Sequence, residues 1–367
     1  RTANGIVVDV SGLPRCIEKS ATEIKWKESR KSRPPGRGIG FSCASHPSGP
    51  RLGGHFGSSV MLKLVEDGKV IVTHGGTEIG QGCNTVFCQM VAEVLGLPIE
   101  DVEQGVSDSD TTIFDSGMFG DRCTFWDGNA AILAAKDLKR QLAEIAAKDL
   151  QADPETLEFK DRRISAKDDP SKSMDFLLAV RKAYYEQGAP LYGRGYWAAT
   201  DIDLVDWKTG KGNLAHGLDF IATAIELDVD RETGRVTLLK SAHGDDAGQP
   251  INPLMLDGQV LGGSTHMMGH GLMEESLYDE KGRPLNHTWR DYKQPTSMDV
   301  PLETVVEHVH THDPFGPFGA KGAGEASSCS TLAAIANGVY DAVGIRIKDL
   351  PITPEKILQE LKRKEGK

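Results

Sequence analysis

Glu325 is the residue best placed to do chemistry, being the one carboxylate in the run 315–327. Four glycines, Gly316, Gly319, Gly322 and Gly324, lead up to it, and an apolar helical pattern begins near Thr331. Glycines at this density let a backbone approach a ligand and adopt positive φ. The amides of a following helix start suit an anionic group. A carboxylate in such a cradle is a candidate general base, with helix capping as the plain alternative.

Three further glycine-rich segments accompany it. Residues 75–82, Gly-Gly-Thr-Glu-Ile-Gly-Gln-Gly, run into a helical pattern, so their amides and the Gln81 side chain are candidates to hold phosphate or carbonyl oxygens. The segment has neither the lysine of a P-loop nor dinucleotide-fold spacing. Residues 117–124 offer glycine, the Arg122 cation and hydroxyl or thiol groups. Residues 262–270 are expected to open or interrupt a helix with small residues and donors.

Other side chains have two readings each. His308, His310 and His312 alternate, so on a strand they share one face, either as transition-metal ligands or as solvated histidines. Asp245 and Asp246 are a divalent-cation pair or a turn.

Two regions with one plan would position these groups. Residues 60–65 and 70–73 flank Glu66-Asp67-Gly68-Lys69, a hairpin signal, and a helix through Val86, Met90, Val91 and Val94 stops at Gly96 and Pro98. Residues 221–229 and 236–239 repeat the hairpin, and a Gly/Asp loop at 244–248 leads to a helix from Pro253. The class expected is α+β, with duplicated hairpin–loop–helix repeats and a ligand between them. The lobes expected are 38–215 and 216–367, the second carrying Glu325, after a connecting arm at 1–37. Ile132, Ala135, Leu138, Leu142 and Ile145 mark an amphipathic helix, and residues 175–187 a second one. Residues 151–173 read as a polar excursion, and 354–364 as a solvated helix.

Composition excludes several classes. A net charge of -11 argues against nucleic acid as the main partner. No apolar run reaches membrane-spanning length, and no signal-peptide pattern opens the chain. The six cysteines contain no CxxC pair, which supports neither a disulfide scaffold nor an iron–sulfur site, and points to a reducing cytoplasm.

Four glycine-rich segments in this order, closing on Lys-Gly-Ala-Gly-Glu, resemble the molybdenum-binding subunit of the xanthine oxidase family of molybdenum hydroxylases. Residues 246–253 (Asp-Ala-Gly-Gln-Pro-Ile-Asn-Pro), Gly258-Gln259 and residues 291–296 (Asp-Tyr-Lys-Gln-Pro-Thr) add to the resemblance, which runs from about Gly38 to Gly344. It implies a pterin-bound molybdenum, as the cytosine dinucleotide in bacteria. The contacts it implies are Gly80, Gln81, Gly82, Cys83, Asn84 and Thr85; Gly120, Asp121, Arg122 and Cys123; His266, Met267, Met268 and Gly269; and Lys321, Gly322, Ala323 and Gly324. Cys83 and Cys123 are equally readable as small packed residues. Glu325 matches the family's catalytic glutamate. Phe41 aligns with a position that lines the substrate channel, or it packs in the core.

Two departures qualify the resemblance. Family subunits are about twice as long, and residues 52–57 only echo the Phe-Gly-Gly-Lys loop of their upstream half. The implied partners are a separate chain carrying that half, as in split nicotinate dehydrogenase, a [2Fe-2S] subunit and an FAD subunit. His266-Met267 replaces a common Gln-Gly. Expected chemistry is hydroxylation of an aromatic or N-heteroaromatic carbon. Its alternatives are aroyl-CoA dehydroxylation, aldehyde oxidation and a non-catalytic scaffold.

Overall fold

The computed structural model describes residues 1–53 and 57–366. In chain order it contains α1 (Leu13–Glu23), α2 (Trp26–Ser29), β1 (Arg37–Pro47), β2 (Ser58–Leu64), β3 (Val70–His74), α3 (Cys83–Leu95), β4 (Val102–Gln104) and α4 (Gly128–Leu150). There follow β5 (Leu157–Lys160), β6 (Arg163–Ala166), β7 (Asp169–Asp175), α5 (Phe176–Arg181), β8 (Tyr192–Trp197), β9 (Leu218–Val229) and β10 (Val236–Asp246). The last elements are α6 (Pro253–Leu272), β11 (Glu303–His308), α7 (Glu325–Val343) and α8 (Pro354–Lys364). The chain divides into two compact units interleaved in sequence, where contiguous lobes were expected. One comprises Arg1–Asp9, Pro47–Gly217 and His312–Gly322, the other Val10–His46, Leu218–Thr311 and Ala323–Lys367.

In the first unit the sheet order is β4-β3-β2-β8. Alternation builds the hairpin, because Val60, Leu62 and Leu64 are buried while Met61 and Lys63 face outward. β2 and β3 pair antiparallel from Val60↔His74 to Leu64↔Val70, and β4 returns parallel to β3 after α3. Helix α4 lies directly on edge strand β8. An ideal Cβ on Gly193 would fall 2.3 Å from the Ala134 carbonyl oxygen, and one on Gly195 2.0 Å from that of Ala130. Only glycine permits that approach. The polar stretch at 151–173 is no loose excursion: it forms most of the three-stranded sheet β5-β6-β7, whose Leu157, Phe159, Ile164 and Met174 join the unit's core.

The second unit repeats the plan with order β11-β10-β9-β1. β9 and β10 form the antiparallel hairpin, and β11 returns parallel to β10 after α6. Helix α7 lies on β1 as α4 lies on β8. Here the ideal Cβ of Gly38 would sit 2.2 Å from the Gly338 carbonyl oxygen and that of Gly40 1.7 Å from the Ala334 oxygen. A Gly-x-Gly in each edge strand and small residues four apart on each helix therefore carry the duplication.

Three expectations change in this unit. The presumed arm contains α1, with Cys16 and Ser20 buried against β9 and β10, and Ser20 Oγ donating to the Ala222 carbonyl at 2.7 Å. Its inward face uses small residues, so it carries a weak apolar signal. The expected interruption at 262–270 does not occur, because α6 runs unbroken through it. In α8, Ile357 and Leu361 are buried in the core, so that helix is docked rather than wholly solvated.

Candidate active site

Glu325 is the first residue of α7, preceded by Gly324 at φ 151°. Its Oε2 lies 2.8 Å from His46 Nε2, with the Glu325 side chain 52% exposed and that of His46 19%. His46 stands at the end of β1, and its backbone N–H donates to Asp219 Oδ1 at 3.0 Å. Asp219 is fully buried on β9. The even-numbered face of β1 explains the meeting. Gly40 abuts Ala334, the Ser42 hydroxyl donates to the Ser330 carbonyl, Ala44 packs by Ala326, and His46 reaches Glu325. Strand and helix run alongside each other for four contacts, and the last one is polar.

The N-terminus of α7 is also fixed by α6. An ideal Cβ on Gly263 would fall 2.1 Å from Ser327 Oγ, and the Ser264 and Thr331 hydroxyls lie 3.1 Å apart. The Gly-Gly-Ser-Thr segment thus serves a close helix crossing. Of the contacts expected there, His266 is exposed and Met267 half-buried, whereas Met268 packs in the core with Ile225 and Ile335 and Gly269 is buried. One turn of helix cannot aim all four at a single ligand.

In the first unit, the loop before α3 satisfies itself. Glu78 Oε1 accepts from the Gly80 and Gly82 amides, both at 2.9 Å, and Oε2 from the Asn84 amide at 3.1 Å. Burial raises the Glu78 pKa, but the three amides outweigh it and hold the carboxyl below its ordinary value. Gln81 Nε2 donates to the Thr77 carbonyl at 2.8 Å while its Oε1 accepts from Ile79 N at 2.7 Å. Thr85 is exposed, and Cys83 is buried beside Cys123. The hydrogen bond to Cys83 and then burial push the Cys123 thiol well up, so it is no thiolate.

Arg122 was expected to face a cofactor; instead it is sealed, at 2% exposure. Its guanidinium donates to Asp115 Oδ1 (2.6 Å), Gly117 O (2.8 Å), Gly57 O (3.2 Å) and Ser58 Oγ (2.7 Å). Asp127 lies 3.9 Å from the same guanidinium and bonds Ser58 Oγ at 2.9 Å. Burial and then the Asp115 charge push Asp127 up to about 8, against the pull of Arg122. Asp115 makes the close contact to the guanidinium, while burial favours the protonated form of Asp127. Asp121 carries a left-handed φ of 53°, and an ideal Cβ on Gly322 would sit 1.9 Å from the Asp121 carbonyl oxygen. The Gly322 amide donates to Ser48 Oγ at 3.0 Å, and Lys321 is buried.

The remaining candidates resolve into structure. Phe41 packs edge-on to Trp26 with ring centroids 5.5 Å apart. His308 is the only one of the three histidines within β11, and its Nε2 bonds Asp257 at 2.9 Å. Asp246 accepts from the Gly12 and Gly248 amides and the Thr311 hydroxyl, so it organises turns. Residues 54–56 of the expected Phe-Gly-Gly-Lys echo lie outside the described residues. Sequence reasoning missed His46, Asp219, Glu78 and the Asp115–Asp127 pair. Only the alternation Gly38, Gly40, Ser42, Ala44, His46 carried a readable signal.

A family model described as the molybdopterin cofactor-binding domain matches residues 15–301. The chain belongs to the molybdopterin cofactor-binding family. Within it, the relatives are molybdenum-binding subunits of the xanthine oxidase type. The xanthine dehydrogenase molybdenum-binding subunit of Escherichia coli O157:H7 is 33% identical over 360 residues, covering 95% of this chain and 46% of that protein. The nicotine 6-hydroxylase large subunit of Paenarthrobacter nicotinovorans is 29% identical, covering 96% of this chain and 44% of its own. The quinoline 2-oxidoreductase structure from Pseudomonas putida 86 superposes with a TM-score of 0.86 at 26% identity, over 96% of this chain and 46% of that one. The chain thus spans about half the length of these relatives.

The residues present fit the family's cofactor in part. At Gly80, φ 111°, no atom of the described residues lies within 4 Å of an ideal Cβ, so a flat ring can approach the backbone beside Gln81. Glu325 keeps half its side-chain surface open. Arg122 does not fit, because its donors are used inside the unit.

Proposed function

We propose that the chain is the pterin-holding, base-bearing part of a molybdenum-dependent hydroxylase or dehydrogenase. When bound, the molybdenum cofactor supplies a two-electron redox centre. The open space at Gly80, beside Gln81 and Gly82, would take the pterin, as the cytosine dinucleotide on the resemblance to bacterial members. Glu325 takes the proton released as a water-derived oxygen bonds to carbon. The net change is Ar–H plus water to Ar–OH, with two protons and two electrons released. An electron-poor aromatic or N-heteroaromatic ring suits attack by such an oxygen. The quinoline and nicotine enzymes among the relatives support that class.

Two electrons per turnover require a relay, and the cysteine spacing here offers no cluster site. We therefore assign a [2Fe-2S] chain, an FAD chain and the other half of the molybdenum subunit as partners. Six cysteines with no disulfide among them suit a cytoplasmic assembly.

The observation that carries the reading is Glu325 at the first turn of α7, half-exposed and hydrogen-bonded by His46. Glu325→Gln in the purified assembly is expected to lower kcat by about 10²–10⁴-fold with molybdenum content unchanged. Full turnover by that variant would refute the role. Substrate class is read by acceptor reduction across nicotinate, purines, aldehydes and aroyl-CoA esters. Turnover with aliphatic aldehydes alone would overturn the ring assignment.

A further inference from the structure

We propose that His266 and His270 on α6 form a two-nitrogen binding site for a divalent transition cation of the zinc class, with Glu274 beside them to balance its charge. The inference does not depend on the role of Glu325, and all three residues belong to one unit.

The sequence supplies the spacing. His266 and His270 are four residues apart within α6, so they lie on the same face of the helix. Helical histidines at that spacing are the arrangement in which two imidazoles bind one zinc. In the family resemblance the position of His266 is commonly glutamine, so the pair marks this chain off from such members.

Folding brings the two rings to chelating distance. Their centroids are 5.0 Å apart and their planes meet at 79°, so they are not stacked. Two imidazoles bonded to one tetrahedral ion at about 2.0–2.1 Å hold their ring centres about 5 Å apart. Both side chains are exposed, so each ring can turn a nitrogen towards a shared ion without disturbing the core.

The surroundings favour positive charge. His270 lies in the last turn of α6, where a helix carries its partial negative charge. Just beyond the helix, Glu274 Oε2 stands 3.9 Å from His270 Nε2, and the Glu274 side chain is only 7% exposed. That placement needs Gly269, because an ideal Cβ there would fall 2.0 Å from Glu274 Oε1. The Tyr292 hydroxyl donates to Glu274 Oε2 at 2.9 Å, the kind of outer hydrogen bond that orients a carboxylate near a metal. Imidazole nitrogens select Zn2+ and its neighbours over Ca2+ or Mg2+, which take oxygen ligands.

The test is calorimetric titration of Zn2+ into the full chain. The chain is prepared without a histidine tag and with the exposed Cys43 and Cys329 replaced by serine, to remove competing thiols. One equivalent should bind saturably. His266→Gln, His270→Ala and Glu274→Gln should each weaken binding by at least about ten-fold, the scale of losing even an outer partner of a metal site. His287→Ala removes another exposed histidine and should bind as the parent does. Zn2+ should raise the Tm of the parent and of His287→Ala. His266→Gln should melt cooperatively with a Tm that Zn2+ leaves in place, which separates lost binding from lost folding. With Cu2+ as the second probe, the electron paramagnetic resonance spectrum should show coupling to two nitrogens in the parent and to fewer in His266→Gln and His270→Ala.

Absence of saturable binding, parent-like affinity in any of the three site variants, or an equal loss in His287→Ala would each overturn the proposal. So would a copper spectrum that neither histidine variant alters. Glu325 is untouched in these measurements, so their failure leaves the reading of it as base in place, and an active Glu325→Gln enzyme removes that reading without touching this site.

Discussion

Helices α4 and α7 occupy equivalent places in the two repeats, each lying on a Gly-x-Gly edge strand, and each opens on an acidic residue. Asp127 at the N-cap of α4 is fully buried among Arg122, Asp115 and Ser58. Glu325 at the start of α7 is half-exposed and meets His46. Burial pushes the Asp127 carboxyl up to about 8, while Asp115 makes the close contact to Arg122 at 2.6 Å. The same fold thus holds one carboxyl as a sealed structural group and offers the other to solvent. The comparison teaches that position on the fold does not make a catalytic acid or base. Its surroundings do, through desolvation and the supply of donors.

The largest expected effect breaks the sealed half of the comparison. Arg122→Met would leave Asp115 buried without its counter-charge, at a cost of about 3–5 kcal/mol, read by urea denaturation of the chain. A loss under about 1 kcal/mol would mean that the guanidinium does not hold the cluster together.

A smaller effect tests what sets the open half. In Gly263→Ala the new methyl would sit 2.1 Å from Ser327 Oγ, pushing the first turn of α7. The expected destabilisation is about 1–3 kcal/mol, with kcat reduced. Ser327→Ala in that background should recover part of both. A double-mutant cycle with no coupling would show that α6 does not position that turn.

The smallest effect concerns the self-satisfied loop before α3. Glu78→Gln should cost about 1 kcal/mol at neutral pH, as for a lost helix cap at an exposed site. Because the native Glu78 pKa is lowered, its contribution is present above the unfolded value of about 4.3 and fades as pH falls through the native value. Parent and variant should converge in acid. A difference that grew on acidification would reverse the sign and refute the amide cage.

Much of the fold was readable because its signals are local. The alternation Val60, Leu62, Leu64 against Met61 and Lys63 specifies a half-buried strand, and Gly82 and Gly96, both at positive φ, bracket α3. Elements built from small or polar residues were not readable. Cys16 and Ser20 bury α1 with little apolar area, and the Gly262-Gly263 pair looks like a helix break until Ser327 is seen to need the space. Arg122 followed the same pattern: in sequence it is a cation in a glycine turn, and only folding surrounds it with Asp115 and Ser58.

By itself the sequence determined the duplicated hairpins, the glycine-rich segments and a carboxylate at the start of a helix, because periods of 2.0 and 3.6 and positive-φ positions are written within a few residues. Tertiary structure alone decided which carboxyl has its pKa raised and which side chain meets Glu325. Those outcomes depend on desolvation and on hydrogen bonds between residues far apart in sequence, such as His46 with Glu325 and Ser58 with Asp127. No local pattern encodes such pairs, because their partners meet only when strand and helix pack.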